Sequence, residues 1–179
     1  MAVRRTSAQW SARFMVALRL LIQSGLLVAV IGVVGHFAGL VLVTSTVGPT
    51  AYLMLAHPDH VTARVRNAVA GHGVAIGSGL ACAAAFGLWE HPPMTRLGNT
   101  TLNQAGATAP ATAVTLAALT VMGSHHAPSA ATAVLVSSGS AAPGRPLYGL
   151  VAGLVLVMIL APALVRLPGA RRQTIELEG

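Results

Sequence analysis

Long apolar runs separated by short polar breaks make up most of the chain. Two of these runs, 51–56 and 129–136, are too short to cross a bilayer as helices by themselves. Four others are long enough at about 1.5 Å per helical residue, and they cover 20–43, 67–89, 107–123 and 147–165. This pattern predicts an all-α membrane protein with four long transmembrane helices and two short broken or half-helices.

The composition supports the same class. Of the 179 residues, 54% are hydrophobic and 8% charged, and the mean hydropathy is +0.71, whereas soluble domains carry about 25% charged residues. We therefore predict one transmembrane domain over 1–179 with a polar tail at 167–179. The first apolar run is too long for a signal peptide, so we expect it to be a retained span.

The basic residues indicate membrane topology and not nucleic-acid binding. All eleven are Arg, the net charge is +7, and they flank apolar runs in a chain with 4% aromatic residues. If both short runs cross the membrane, nine Arg lie on the side of the termini and two, Arg96 and Arg145, on the other. If both runs are re-entrant, four passes remain and the split is eight to three. The positive-inside rule favours six passes with both termini cytoplasmic, on the strength of Arg64 and Arg66 alone.

The two short runs open with similar sequences. Gly48-Pro49-Thr50-Ala51 and Ala127-Pro128-Ser129-Ala130 are both small-Pro-hydroxyl-Ala, and each follows a long span. Proline favours the first turn of a helix, and a helix N-terminus presents free amides and a partial positive charge. We predict two structural repeats, about 15–89 and 107–166, in which two half-helix N-termini form an anion site. Coincidence in an Ala-rich chain is the rival explanation.

Two stretches beside these breaks match family motifs. The first is 45–54 with Arg64-Val65-Arg66-Asn67 and Ala70-Gly71-His72, and the second is 126–133, His-Ala-Pro-Ser-Ala-Ala-Thr-Ala. They resemble the two blocks of the HPP family of integral membrane proteins, whose second block reads His-Pro-Pro-Ala-Gly-Ala-Thr-Ala. Ala127 replaces the middle motif proline, and Arg64-Val65 replaces a Gln-Pro pair. A literal His91-Pro92-Pro93 lies in the long loop 90–106, away from any span, and is not the motif.

The resemblance implies a transporter, because the family is similar to transporters and its plant chloroplast members are associated with nitrite transport. We therefore expect a small inorganic anion as the substrate and the lipid bilayer as the surroundings, with no enzymatic activity, no nucleic acid, no metal and no cofactor. A homo-oligomer through Gly149-x-x-x-Gly153 stays an alternative to packing of these glycines inside the bundle.

The candidate binding residues lie at and near the two breaks. His126 and His125 could donate to an anion or carry its proton, or else cap the carbonyls that end the third span. Arg66 and Asn67 could bind the anion or anchor the second span, and His72 could lie on the transport path or be structural. The remaining candidates are small residues, prolines and hydroxyls of the two half-helix starts: Thr46, Gly48, Pro49, Thr50, Pro128, Ser129 and Thr132.

Two other functions remain open from the sequence. Because His36, His72 and His125 lie on or beside different spans, two of them could ligate a haem iron. The chain could also be a membrane scaffold that transports nothing.

Overall fold

The computed structural model describes residues 7–167, apart from the side chains of residues 7–9 and 12. This part of the chain is all-helical and contains no strand. Its seven α-helices are α1 (Ser7–Ala38), α2 (Val47–Ala56), α3 (Val65–Ala85), α4 (Met94–Leu97), α5 (Leu102–Val121), α6 (Pro128–Ser137) and α7 (Arg145–Val165), and a 3-10 turn covers Val61–Ala63. The predicted polar tail lies outside the described residues, except for Leu167.

Three of these helices are long and apolar enough to cross a membrane, namely α1 from Arg13 to Ala38, α3 and α7. Helix α5 has 20 residues, but it includes Asn103, Gln104 and four threonines and is not among the three. The predicted membrane class of apolar helices is supported, while the prediction of four long apolar spans holds for three helices. The two predicted short helices are present as α2 and α6, with 10 residues each.

The prediction of one helix over the whole run 20–43 is wrong. Helix α1 ends at Ala38, and Gly39 takes a left-handed conformation with φ of 64°. Its amide donates to the His36 carbonyl and the Leu40 amide to the Gly35 carbonyl, which is the pairing of a Schellman cap. Residues 40–43 are therefore apolar but not helical, and the break begins five residues before the predicted one.

The predicted start of the third span at residue 107 is also wrong. Helix α5 begins at Leu102, because the Thr101 side chain accepts from the Gln104 amide and the Gln104 side chain accepts from the Thr101 amide. This capping box satisfies two amides that the helix end would otherwise leave unpaired. The predicted loop 90–106 consequently contains the start of α5 as well as the helical turn α4.

The long helices exchange partners between the two halves of the chain. Helix α3 packs mainly against α5 and α6, which follow it, whereas α7 packs mainly against α1 and α2, the first two helices. Two three-helix groups result. The chain passes between the groups only in the links 57–64 and 138–144.

Hydrogen bonds and cavity walls define two ends of the bundle. One end, where α1 begins and α7 ends, we call the terminal end. There the Gln23 side chain donates to the Leu164 carbonyl, and one cavity is lined by Arg19, Arg64 and Arg166. At the far end, the Arg145 guanidinium donates to the Gly39 carbonyl at 2.7 Å. Six segments run between these ends in alternating directions: α1, 39–56, α3, α5, 123–137 and α7.

Glycines let backbone and helices approach closely inside the bundle. A Cβ built on Gly149 would lie 2.5 Å from the Val41 carbonyl oxygen, and one on Gly153 would collide with the Leu42 carbonyl oxygen. On α3, a Cβ at Gly79 would lie 2.8 Å from the Val136 Cβ of α6. The Gly149-x-x-x-Gly153 pattern thus packs within the chain, against the non-helical segment that precedes α2.

Candidate functional site

His72 is held between hydroxyls of the two short helices. Its Nδ1 lies 2.8 Å from Thr132 Oγ1 on α6, and its Nε2 lies 3.3 Å from Thr50 Oγ1 on α2. A neutral imidazole has one N–H and one lone pair, so one threonine accepts from the ring and the other donates to it. Thr50 is the fourth residue of α2 and Thr132 the fifth of α6. Side chains from near the starts of both short helices therefore meet at one histidine.

His126 lies beside His72 in the second break. The two rings are edge to face, with centroids 5.0 Å apart. The His126 Nδ1 is 2.9 Å from the carbonyl oxygen of Thr62, in the 3-10 turn that precedes α3. Gly123 ends α5 with the same cap as Gly39, because its φ is 61° and the Ser124 amide donates to the Leu119 carbonyl. The break that follows lies next to α3.

Two buried polar atoms of this region have no hydrogen-bond partner, namely His126 Nε2 and Ser129 Oγ. Both side chains are fully buried. Ser129 Oγ lies in close contact with Gly71, where a Cβ would collide with it, and Gly71 precedes His72 on α3. Buried polar atoms are nearly always paired in folded proteins, so these two atoms mark a place where a small polar ligand could bind.

Most of the predicted histidine and hydroxyl residues are buried together, whereas Arg66 and His125 are exposed. Thr46, Thr50, His72, His126, Ser129 and Thr132 are all at most 2% exposed. Pro128 is the first residue of α6 and is buried, while Pro49 is the third residue of α2, after Gly48, which has open space around its Cα. We define the buried cluster as Thr50, His72, His126, Ser129 and Thr132.

Asn67 supports the second break and not the buried cluster directly. Its side chain donates to the Val61 carbonyl, and its own carbonyl accepts from the Ser124 hydroxyl. Arg66 and His125 are exposed, and the described contacts do not bring either to the cluster. His36 is also exposed and packs edge-on against Phe37. The three histidines considered for haem are therefore not brought together, and both ring nitrogens of His72 already face threonines.

A cavity of about 350 Å³ lies at the far end, and we call it the far vestibule. It is lined by Leu135, Thr44 and Arg145, among others. Thr44 Oγ1 is 3.0 Å from Thr46 Oγ1, and Thr46 lies one helical turn before Thr50. A pair of bonded hydroxyls thus leads from the wall of the far vestibule to the start of α2, the helix that carries Thr50.

A second cavity, of about 610 Å³, lies at the terminal end. Its lining includes Arg19, Arg64, Arg166 and a single acid, Asp59. Ala63 also lines it, directly after Thr62, whose carbonyl faces His126. We call this cavity the terminal vestibule, and arginine therefore lines a vestibule at each end of the bundle.

Sequence reasoning missed part of this arrangement. Thr62 contributes a backbone carbonyl, which no side-chain pattern can reveal. Thr44 and Arg145 could have been predicted from the sequence. Residues 44–46 all carry hydroxyls, and Arg145 is one of two arginines predicted on the side opposite the termini. The lining of both vestibules depends on which helices pack together.

Comparison with known families identifies the chain. The family model described as HPP, transmembrane region, matches residues 9–174. The chain belongs to the HPP transmembrane family. The match covers nearly the whole chain, so both breaks and all members of the buried cluster lie within the HPP region. Neither the curated proteins nor the solved structures compared with the chain gave a match.

Proposed function

We propose that this HPP protein is a transporter or channel for a small monovalent anion, with nitrite as the first candidate. The observation that carries the proposal is the buried cluster, in which His72 binds hydroxyls from both short helices beside two unpartnered polar atoms. Polar and ionisable groups at membrane depth are costly, and substrate and proton pathways are among the functions for which they are kept. His72 is seven residues into α3, about 10 Å from its start.

The two vestibules support an anion over a cation. Arginine lines both of them, with three arginines against one aspartate at the terminal end and Arg145 at the far end. Positive charge at the mouths of a low-dielectric path concentrates anions there. Hydroxyls between the mouths are donors suited to nitrite or nitrate oxygens, as is the second ring nitrogen of an imidazole once it is protonated.

The proposal includes an inverted repeat of three crossings per half and six in all. One half comprises α1, α2 and α3, and the other α5, α6 and α7, with each third helix packed on the other half. The two halves support this relation, because α1 and α5 end in the same glycine cap before a break and a short helix. The arginines at the terminal end favour cytoplasmic termini in the cytoplasmic membrane.

Uptake of nitrite, and separately of nitrate, into proteoliposomes tests the function. We expect uptake by the wild-type protein above that of protein-free liposomes, and a ten- to hundredfold loss in His126→Ala, because a hydrogen bond to an ion contributes about 1.5–3 kcal/mol. His36→Ala is the matched control, since that histidine is exposed on α1, and it should retain wild-type uptake.

Absence of uptake of both anions by intact wild-type protein would refute the proposed function. Wild-type uptake that His126→Ala leaves unchanged would move the binding site away from the cluster. If neither uptake nor anion binding is found in any variant, the scaffold alternative is favoured.

A further inference from the structure

The hydrogen bond of His126 to Thr62 fixes which ring nitrogen carries the proton. A carbonyl oxygen can only accept, so Nδ1, at 2.9 Å from it, must be the N–H. In a neutral ring Nε2 is then a bare lone pair. This nitrogen is one of the two buried atoms without a partner.

A bare lone pair cannot bind an inorganic anion. Nitrite and nitrate carry acceptor oxygens and no N–H or O–H, so they would be repelled by a neutral Nε2. Protonation reverses this, because an imidazolium donates from both nitrogens, one to Thr62 and the other to the anion. The Ser129 hydroxyl is the other buried polar atom without a partner.

An imidazolium without an anion would be an isolated buried charge. His126 is 0% exposed. The titratable group packed against it is His72 of α3, whose two nitrogens face threonines. Helices α5 and α6 carry no titratable residue, Tyr52 of α2 is 56% exposed, and His60, Arg64, Arg66 and His125 are exposed. Asp59 is exposed and lines the terminal vestibule with Ala63, and no hydrogen bond or ion pair among the described residues joins a carboxylate to this ring. A bound anion is therefore the group that can neutralise the imidazolium.

From this geometry we infer that the protein moves a small anion and one proton together, with the proton carried on His126 Nε2. The inference rests on the proposed function and specifies its coupling. A proton from water on one side binds the Nε2 lone pair as the anion binds beside it, and both return to water on the other side. One monovalent anion with one proton is electroneutral, so transport follows the pH gradient and not the membrane potential.

Proton uptake on binding is the first test. Purified protein in detergent and weak buffer is titrated with sodium nitrite, and with sodium nitrate, while a pH indicator is followed. We expect one proton taken up per anion bound by the wild-type protein and by the control His36→Ala. His126→Asn retains an amide donor toward the Thr62 carbonyl but cannot titrate, so its proton uptake should be abolished.

Transport under a clamped potential is the second test. In liposomes with potassium and valinomycin, a pH difference of one unit, acidic outside, should drive about tenfold accumulation of the anion. About 60 mV, interior negative, should leave that accumulation unchanged, whereas an uncoupled anion would be depleted about tenfold, since one charge is worth about 2.3 kcal/mol per 100 mV. Protein-free liposomes correct for passive entry of nitrous acid.

The outcomes separate the two proposals. Anion flux that follows the membrane potential, with no proton taken up on binding, would overturn the coupling and leave the anion transporter standing. No binding and no flux of either anion would refute the transporter itself. Saturable binding of ammonium without proton uptake would show Nε2 acting as an acceptor for a donor ligand, and would overturn the coupling as well.

Discussion

Thr132→Val and Ser129→Ala each remove one hydroxyl from α6, and we expect them to change the free energy of unfolding in opposite directions. Thr132 Oγ1 is the 2.8 Å partner of His72 Nδ1, so Thr132→Val leaves a buried ring nitrogen unpaired while keeping the shape of the side chain. Such a loss costs about 1–3 kcal/mol. Ser129 Oγ has no partner in the buried cluster, so Ser129→Ala removes an uncompensated polar atom.

The expected sizes follow from that difference in pairing. Burying an unpaired hydroxyl costs about 1–3 kcal/mol by mutational measures, so Ser129→Ala should raise the free energy of unfolding by about 1 kcal/mol. The two variants should therefore differ by about 3 kcal/mol, roughly a hundredfold in the unfolding equilibrium constant. If Ser129 also donates to the anion, Ser129→Ala should bind nitrite more weakly although it is more stable.

Reversible unfolding by sodium dodecyl sulfate in mixed micelles measures both free energies, and nitrite titration of the same samples measures binding. A matched loss of stability in both variants would refute the reasoning, because it would mean that Ser129 is paired as Thr132 is. A destabilisation of Ser129→Ala by more than about 1 kcal/mol would do the same.

Two further predictions concern packing and topology. Gly153→Ala should destabilise the protein by about 1–3 kcal/mol in the same unfolding assay, because the added Cβ meets the Leu42 carbonyl. Gly73 has open space around it, so Gly73→Ala should be neutral or stabilising by up to about 1 kcal/mol. Equal effects of the two substitutions would contradict the close packing on α7. His60→Cys and Leu97→Cys, each in a Cys82→Ala background, should react with an impermeant maleimide from opposite sides of the membrane. Position 60 should be labelled from the side of a C-terminal tag. Labelling of position 60 from the side opposite the tag would indicate four passes.

The sequence predicted the helical class and the two short helices better than it predicted the number of long apolar spans or the helix ends. An apolar run shows burial but not conformation, so 40–43 could not be distinguished from the helix before it. The glycine caps at Gly39 and Gly123 and the capping box at Thr101 decide the boundaries, and these are local signals that hydropathy does not contain.

For the candidate site, the hydroxyl and histidine residues near the prolines were the useful signal. Five of the predicted residues, Thr50, His72, His126, Ser129 and Thr132, form the buried cluster. Arg66 and His125 fit the same sequence pattern but are exposed, because neighbours along a chain face different ways once its direction is fixed. The Thr62 carbonyl and both vestibules depend on packing between distant segments, which one sequence does not contain.

The exchange of third helices has a consequence for biosynthesis. The group of α3, α5 and α6 is complete once residue 137 has entered the membrane, whereas α1 and α2 receive their partner only when α7, the last helix, is made. Until then the Val41 and Leu42 carbonyls, which later pack against Gly149 and Gly153, have no α7 beside them. A nascent chain that stalls before residue 145 would therefore hold an unfinished first group beside a finished second one, and is the form on which membrane quality control would act.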